Sequence, residues 1–156
     1  MKANTKQILK ITFSFVFIAL VAGLGSLFVN LGMDWFNSLQ RPTQWIPNIL
    51  IPIVWTVIYI AFATINFFWI KSNKLPQQTA ILMIVNGILN ILWCLIFFTL
   101  KQTFLGNLVI ILNLIAGILL WIDIYKNNKL YYYVLSIYPI WLCFATSLNL
   151  ALWILN

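Results

Sequence analysis

The residues best suited to chemistry in this chain are asparagine, tryptophan and tyrosine side chains that recur at helical spacing inside long apolar runs. In the run LNILWCLIFF, Asn90, Trp93 and Phe97 share one face of a helix with Asn86, one turn earlier. An unpaired amide in hydrocarbon costs several kcal/mol, so this face must turn towards another helix, a cavity or a ligand. The chemistry that it offers is aromatic stacking combined with amide hydrogen bonding.

Two other apolar runs carry the same mixture of residues on one helical face. The members are Trp55, Tyr59, Phe62 and Asn66 in the earlier run, and Tyr138, Trp141, Ala145 and Asn149 in the later one. Packing between helices would account for the amides by itself. The number of large rings instead favours the walls of a pocket for a flat apolar ligand, oriented by a few polar groups.

Other kinds of site lack the residues that they need. The sequence has no histidine, and Cys94 and Cys143 both lie inside apolar runs. A His/Cys metal site and haem ligation by histidine are therefore excluded, and no cofactor is predicted. Asp123 stands at the end of an apolar run, where we interpret it as an interfacial charge. Proton-coupled transport and acid-base catalysis are disfavoured because the aromatic faces carry no ionisable group.

The composition places these faces in a membrane. Apolar residues make up 63% of the 156 residues and charged residues 7%, whereas an average soluble domain is about 25% charged. Five nearly uncharged runs of about 20 residues are each long enough to cross a bilayer, and they cover 11–31, 47–70, 79–100, 104–122 and 130–155. The sequence predicts an all-α integral membrane protein, a bundle of five transmembrane helices forming one domain over residues 1–156.

The charges between the runs predict the orientation of the chain. The net charge is +7, but the basic residues are dispersed, which argues against a nucleic-acid partner. Seven lysines fall on the side of the N-terminus (Lys2, Lys6, Lys10, Lys71, Lys74, Lys126 and Lys129) and two basic residues on the other (Arg41 and Lys101). The positive-inside rule therefore predicts a cytoplasmic N-terminus and a C-terminus outside. The first run also fits a cleaved signal peptide, with small residues at Ala22, Gly23, Gly25 and Ser26, but it continues to Leu31, which favours a retained helix.

The longest connection, over residues 32–46, is predicted to form a lid at one end of the bundle. Pro42 and Pro47 restrict its backbone, while Trp35 and Trp45 have rings suited to the membrane interface. The alternative is an aromatic belt without a role in binding. By its position in this loop, Arg41 or Gln44 is expected to meet an acidic group of a ligand at the interface.

Three motifs in order along the chain resemble the translocator protein family, also called the TspO/MBR or peripheral benzodiazepine receptor family, in its bacterial form. They are Trp55-Thr56 with Tyr59, Leu89-Asn90 with Trp93 and Phe97-Phe98, and Trp141 with Phe144-Ala145, Leu148-Asn149 and the terminal Trp153 to Asn156. The similarity runs from Trp35 to the C-terminus. The loop departs from the family pattern, because Trp45 is displaced by one residue and one of two later prolines is missing.

The resemblance implies a five-helix bundle, commonly a homodimer, with a pocket that opens under the first loop. It implies porphyrins such as protoporphyrin IX, haem-like tetrapyrroles and sterols as ligands. Positions that match pocket residues of the family are Trp55, Asn90, Trp93, Trp141 and Ala145, with Tyr59 and Tyr138 as frequent neighbours. Phe97, Trp35 and Arg41 are added to this predicted site because of their location in the sequence.

Three functions follow as hypotheses. The first is binding of tetrapyrroles for transport, sensing or regulation. The second is light-dependent degradation of porphyrin, for which Trp55 and Trp141 match the tryptophan pair implicated in bacterial members of the family. The third is a membrane assembly or regulatory subunit without a ligand, in which the aromatic faces only pack helices together.

Overall fold

The computed structural model describes residues 5–43 and 46–156, and within these ranges it is helical without any strand. Its helices are α1 (Thr5–Leu31), α2 (Met33–Ser38), α3 (Leu50–Lys71), α4 (Gln77–Cys94), α5 (Thr103–Asn127), α6 (Lys129–Leu135) and α7 (Ile137–Leu155). A π-helical segment, Leu95–Thr99, continues α4. Among the described residues, five stretches are long and apolar enough to cross a membrane, so the predicted all-α class and the five spans are confirmed.

The helices do not end where the apolar runs end. α1 begins at Thr5 and α5 continues to Asn127, so that both include lysine-bearing turns outside the predicted runs at 11–31 and 104–122. The hydropathy of the sequence indicates which residues lie in the hydrocarbon core of the bilayer, whereas a helix ends where its backbone hydrogen bonds end. α3 instead starts later than the run at 47–70, because Pro47 opens a turn in which its carbonyl accepts a hydrogen bond from the Leu50 amide at 2.9 Å.

The fifth span consists of two helices, α6 and α7, that meet at Ser136. Pro139 lies in the first turn of α7, where it lacks an N–H and its ring would clash with the carbonyl of Leu135 in a continuous helix. Trp121 of α5 stabilises the break, because its indole Nε1 donates to the Tyr132 carbonyl and to Ser136 Oγ, both at 3.2 Å.

Interhelical amide and hydroxyl contacts hold α4, α5 and α7 together. Tyr138 Oη donates to Asn86 Oδ1 at 3.0 Å and lies 3.4 Å from Asn113 Oδ1, which joins three helices at one buried hydroxyl. Asn149 and Asn107 form a second buried pair between α5 and α7. Some of the amide and hydroxyl groups on the predicted faces therefore serve packing between helices.

Asp123 is buried at the end of α5 rather than exposed at the interface. Thr79 Oγ1 donates to its carboxylate at 2.5 Å, and only 8% of Asp123 is exposed. Tertiary packing therefore covers this carboxylate, and its interfacial position stays a prediction.

α1 is the most loosely packed span. It buries only Val21 and Gly25 against the rest of the described chain, while much of its remaining surface is exposed. Spaces between α1 and the α3/α4 pair follow from this loose packing, and they contain the candidate sites.

Candidate functional site

A cavity of about 440 Å³ lies between α1, α3 and α4, beneath α2. Four of the ten residues in the predicted site line it: Trp55, Tyr59, Asn90 and Trp93. They come from two helices, and the spacing within each helix places the pair on one face. We call this space the aromatic cavity.

Within the described chain, the Asn90 amide has one hydrogen-bond partner, which lies on α3. Its Nδ2 donates to Tyr59 Oη at 3.0 Å, and the side chain is only 3% exposed. Its Oδ1 and the indole Nε1 of Trp93 have no hydrogen-bond partner among the residues that the structure describes. A buried polar group without a partner costs about 1–3 kcal/mol, so both atoms favour a ligand or water at this wall.

The tryptophans of the site form a connected set of rings. The ring of Trp55 stacks on Tyr59 at 5.7 Å between centroids, lies 6.3 Å from Trp93, and meets Trp141 edge-on at 6.5 Å and 89°. Trp93 in turn stacks on Phe97 at 6.3 Å. Trp55 is thus the residue through which α3, α4 and α7 are joined at the cavity.

The remaining predicted residues of the π-helical segment and α7 lie behind the cavity wall or next to it. Trp141 contacts Trp55 from behind, and Phe97 and Ala145 belong to a buried cluster with Trp93. Tyr138 lines a smaller adjoining cavity of about 50 Å³, which shares Trp55, Tyr59 and Asn90 with the aromatic cavity. These four residues support the site without lining its main space.

The described part of the loop over the cavity forms a roof that includes a short helix, α2. Met33 and Phe36 of α2 and Asn48 line the aromatic cavity from this side. Trp35 points to the neighbouring core, where its ring meets Phe97 at 5.6 Å. The side chains of Gln44 and Trp45 lie outside the described residues, so the interpretation of Trp45 as part of the lid keeps the status of a prediction.

Arg41 ties the roof together. Its guanidinium donates to Asn37 Oδ1 at 2.9 Å and to Asn48 Oδ1 at 3.2 Å, and it lies 4.9 Å above the ring of Phe36. A guanidinium committed to these partners fixes the loop geometry. At the C-terminus, Asn156 exchanges two hydrogen bonds with the backbone of Gln40, at 2.9 and 3.1 Å, and so anchors the roof to α7.

Comparison with known proteins identifies the family. The model of the TspO/MBR family matches residues 13–154. The chain belongs to the TspO/MBR family. It is 31% identical to the tryptophan-rich protein TspO of Archaeoglobus fulgidus over 96% of this chain and 99% of that protein. It is 29% identical to protein CrtK of Rhodobacter capsulatus over 78% of each chain, and 27% identical to the tryptophan-rich protein TspO of Chlorobaculum tepidum over 97% and 98%.

Sequence reasoning missed the contribution of α1 to the cavity of this TspO/MBR protein. Ala22, Gly25 and Ser26 line it, although their small size had suggested only a signal-peptide alternative. A Cβ on Gly25 would lie 3.5 Å from Cys94 Sγ and 4.0 Å from Tyr59 Oη, which are ordinary contact distances, so this wall of the cavity accepts alanine as well as glycine. A small-residue face at helical spacing was the available clue.

The π-helical segment was also not predicted. Its wider turn buries both Phe97 and Phe98, at 0% and 7% exposure, although consecutive residues on an α-helix point in different directions. Thr99 Oγ1 donates to the Phe28 carbonyl of α1 at 3.0 Å and anchors the end of the segment. The segment places two phenylalanines under α2, where Phe36 packs on both rings.

Proposed function

We propose that this TspO/MBR family protein binds porphyrins and other flat apolar ligands in the aromatic cavity, for transport, sensing or regulation. The observation that carries the proposal is a pair of buried polar atoms on an aromatic wall, Asn90 Oδ1 and Trp93 Nε1, which have no partner within the described chain. One accepts and the other donates a hydrogen bond, which would orient a ligand that has both kinds of group on its edge.

Size and lining of the cavity support this ligand class. Its volume of about 440 Å³ falls within the range of about 300–1,000 Å³ that is usual for small-molecule sites. Trp55, Tyr59 and Trp93 offer large ring surfaces for stacking, and Met33 adds an adaptable apolar contact from the roof. Arg41 is held in the roof by Asn37 and Asn48, and its contact with an acidic group of the ligand is part of the proposal.

The test is a titration of protoporphyrin IX into the purified protein, followed by quenching of tryptophan fluorescence. We expect saturable quenching in the wild-type protein and weaker binding for Trp55→Ala and Trp93→Ala, because each change removes a stacking surface from the wall. Trp141→Ala should weaken binding to a smaller extent, since Trp141 acts through Trp55. Trp153→Ala is the matched control, because Trp153 is 41% exposed and packs against Phe104 on the outside of the bundle. Undiminished binding by Trp55→Ala and Trp93→Ala would refute the site.

Light-dependent degradation of porphyrin is a second candidate, favoured by the edge contact between Trp55 and Trp141 at 6.5 Å. An indole can donate an electron to an excited porphyrin, and a second indole in contact offers a further donor. We expect loss of the porphyrin Soret band under light and oxygen, abolished in Trp55→Phe and Trp141→Phe while binding persists. Bleaching at the rate of free porphyrin in detergent would exclude this activity.

The orientation and the assembly of the protein are further proposals. The excess of lysine at the end of the bundle that holds the N-terminus supports a cytoplasmic N-terminus and an outside C-terminus. Alkaline phosphatase fused after Asn156 should then be active and a fluorescent protein fused there dark; the reverse result would invert the topology. The family resemblance supports a homodimer, which cross-linking in intact membranes tests.

A ligand-free assembly or regulatory role is the outcome to expect if no tetrapyrrole binds. In that case protoporphyrin IX and haem would leave the thermal unfolding curve of the folded protein unchanged. Asn90 and Trp93 would then be satisfied by water, and substitutions there would alter only stability.

A further inference from the structure

A second cavity, larger than the aromatic cavity, lies at the opposite end of α1. Its volume is about 540 Å³, and it is bounded by the first half of α1, the end of α3 and the first turns of α4. The small cavity of about 50 Å³ separates the two spaces and shares Phe17, Asn66 and Met83 with the larger one. We call this second space the basal groove.

The basal groove changes from polar to apolar with depth. Lys10, Asn73 and Gln77 surround its outer end, whereas Phe17 and Met83 line its inner end. Its sides are also open to the bilayer, because the lining residues Leu9 and Phe13 are 64% and 63% exposed. A molecule that enters sideways from the membrane would meet charge and amides at one end and hydrocarbon at the other.

Asn66 supplies a buried polar group on the wall of the groove. Its side chain is 8% exposed, and Nδ2 lies 3.0 Å from Ser14 Oγ, while Oδ1 has no partner in the described part of the chain. A serine hydroxyl both donates and accepts, so either end of the amide can pair with Ser14 and leave the other end for a ligand. Asn66 precedes Lys71 by five residues, which places it about 7 Å below the end of α3. With Lys71 at the level of the lipid headgroups, Asn66 would lie at the level of the ester groups.

The charge at this end of the bundle suits an anionic headgroup. The Lys10 side chain is exposed, and the described residues offer it no ion-pair partner. Lys71 is the last residue of α3, and Lys74 lies three residues later at the same side of the bundle. Each lysine near a membrane surface contributes about 1 kcal/mol to attraction for anionic lipid. The first turn of α4 adds partial positive charge from its peptide dipoles at Gln77.

We propose that the basal groove binds one membrane phospholipid with an anionic headgroup. The headgroup phosphate contacts Lys10, Asn73 and Gln77, and one acyl chain follows Phe13 and Phe17 along α1. The Asn66 amide turns so that its Oδ1 accepts from Ser14 Oγ and its Nδ2 donates to an ester carbonyl of the lipid. Bound lipid fills the space that the loose packing of α1 leaves, and the site is independent of the aromatic cavity.

The test is native mass spectrometry of the purified full chain in detergent with added dioleoylphosphatidylglycerol or dioleoylphosphatidylcholine. We expect one retained phosphatidylglycerol, bound at least about five-fold more tightly than phosphatidylcholine. Lys10→Gln should weaken phosphatidylglycerol binding by about five-fold, the effect of one interfacial cation. Lys126→Gln is the matched control, because Lys126 is exposed and lies on α5 away from the groove.

A second variant, Ala80→Phe, tests occupancy of the groove itself, because Ala80 lines it and a phenyl ring would take the place of the acyl chain. Its phosphatidylglycerol adduct should be lost, while quenching by protoporphyrin IX stays at the wild-type level. The proposal would be overturned by any of three results: equal binding of both lipids, equal loss of phosphatidylglycerol binding in Lys10→Gln and Lys126→Gln, or a phosphatidylglycerol adduct that survives in Ala80→Phe. Displacement of phosphatidylglycerol by equimolar oleate would overturn it in favour of a fatty acid.

Discussion

Gly32 offers a sharp test of how the roof is fitted to the bundle. This residue lies between α1 and α2 with φ −104°, so its backbone does not require glycine for conformational reasons. The requirement is steric: a Cβ at Gly32 would overlap the carbonyl oxygen, carbonyl carbon and Cα of Phe98 in the π-helical segment. All three obstructing atoms belong to the backbone, so no side chain can move aside to admit the methyl group.

The expected effect of Gly32→Ala is therefore a loss of stability, of about 1–3 kcal/mol for an overpacked site that must shift its backbone. Gly23→Ala is the matched control within α1, because a Cβ there would meet nothing within 4 Å. Alanine in an exposed helix interior is favoured over glycine by about 0.5–1 kcal/mol. The two Gly→Ala changes should thus have opposite signs and differ by about 1.5–4 kcal/mol.

The assay is unfolding of each variant by sodium dodecyl sulfate in mixed micelles, followed by circular dichroism. Affinity for protoporphyrin IX provides a second reading, because a displaced α2 would move Met33 and Phe36 away from the aromatic cavity. We expect weaker binding for Gly32→Ala and wild-type binding for Gly23→Ala. A Gly32→Ala protein as stable as Gly23→Ala would refute the close fit of the roof against the π-helical segment.

Three further predictions concern polar contacts. Thr79→Val should destabilise the fold by about 1–3 kcal/mol in the same unfolding assay, because it leaves the buried Asp123 carboxylate without its hydroxyl donor. Thr79→Ser keeps the hydroxyl and should be as stable as the wild type; equal effects of the two changes would contradict this role. Tyr138→Phe should cost about 0.6–2 kcal/mol by loss of the buried hydrogen bond to Asn86, and an unchanged unfolding curve would show that this bond contributes nothing. Asn156→Ala should accelerate hydrogen exchange of the Gln40 amide, which donates to the Asn156 side chain; unchanged exchange would mean that the C-terminus does not anchor the roof.

Much of the fold follows from local properties of the sequence. Long apolar runs must be helices that satisfy their own backbone in hydrocarbon, so hydropathy alone predicts five spans. Helical periodicity also identifies the inward faces: Asn86, Asn90, Trp93, Phe97 and the corresponding residues of α7 are all buried. These conclusions need no knowledge of neighbouring helices, because the bilayer selects which side chains turn inwards.

The arrangement of the site does depend on those neighbours. Asn90 forms a hydrogen bond with Tyr59, which is 31 positions away in the chain. Arg41 forms hydrogen bonds with Asn37 and Asn48, which hold it in the roof. Trp141 has the spacing of a pocket residue, yet packing places it behind Trp55. Sequence spacing gives the direction of a side chain on its own helix, but it contains no information on which helix stands opposite or at what distance.

Composition and helical period are enough to specify a five-span membrane bundle with aromatic, amide-bearing faces turned inwards, because burial in hydrocarbon depends on these two properties. Three features depend on packing between helices: α1 packs loosely, its small residues Ala22, Gly25 and Ser26 form a cavity wall, and a π-helical segment supports the roof. These features arise from the fit between surfaces that are remote in the chain. The positions and volumes of both the aromatic cavity and the basal groove are consequences of that fit.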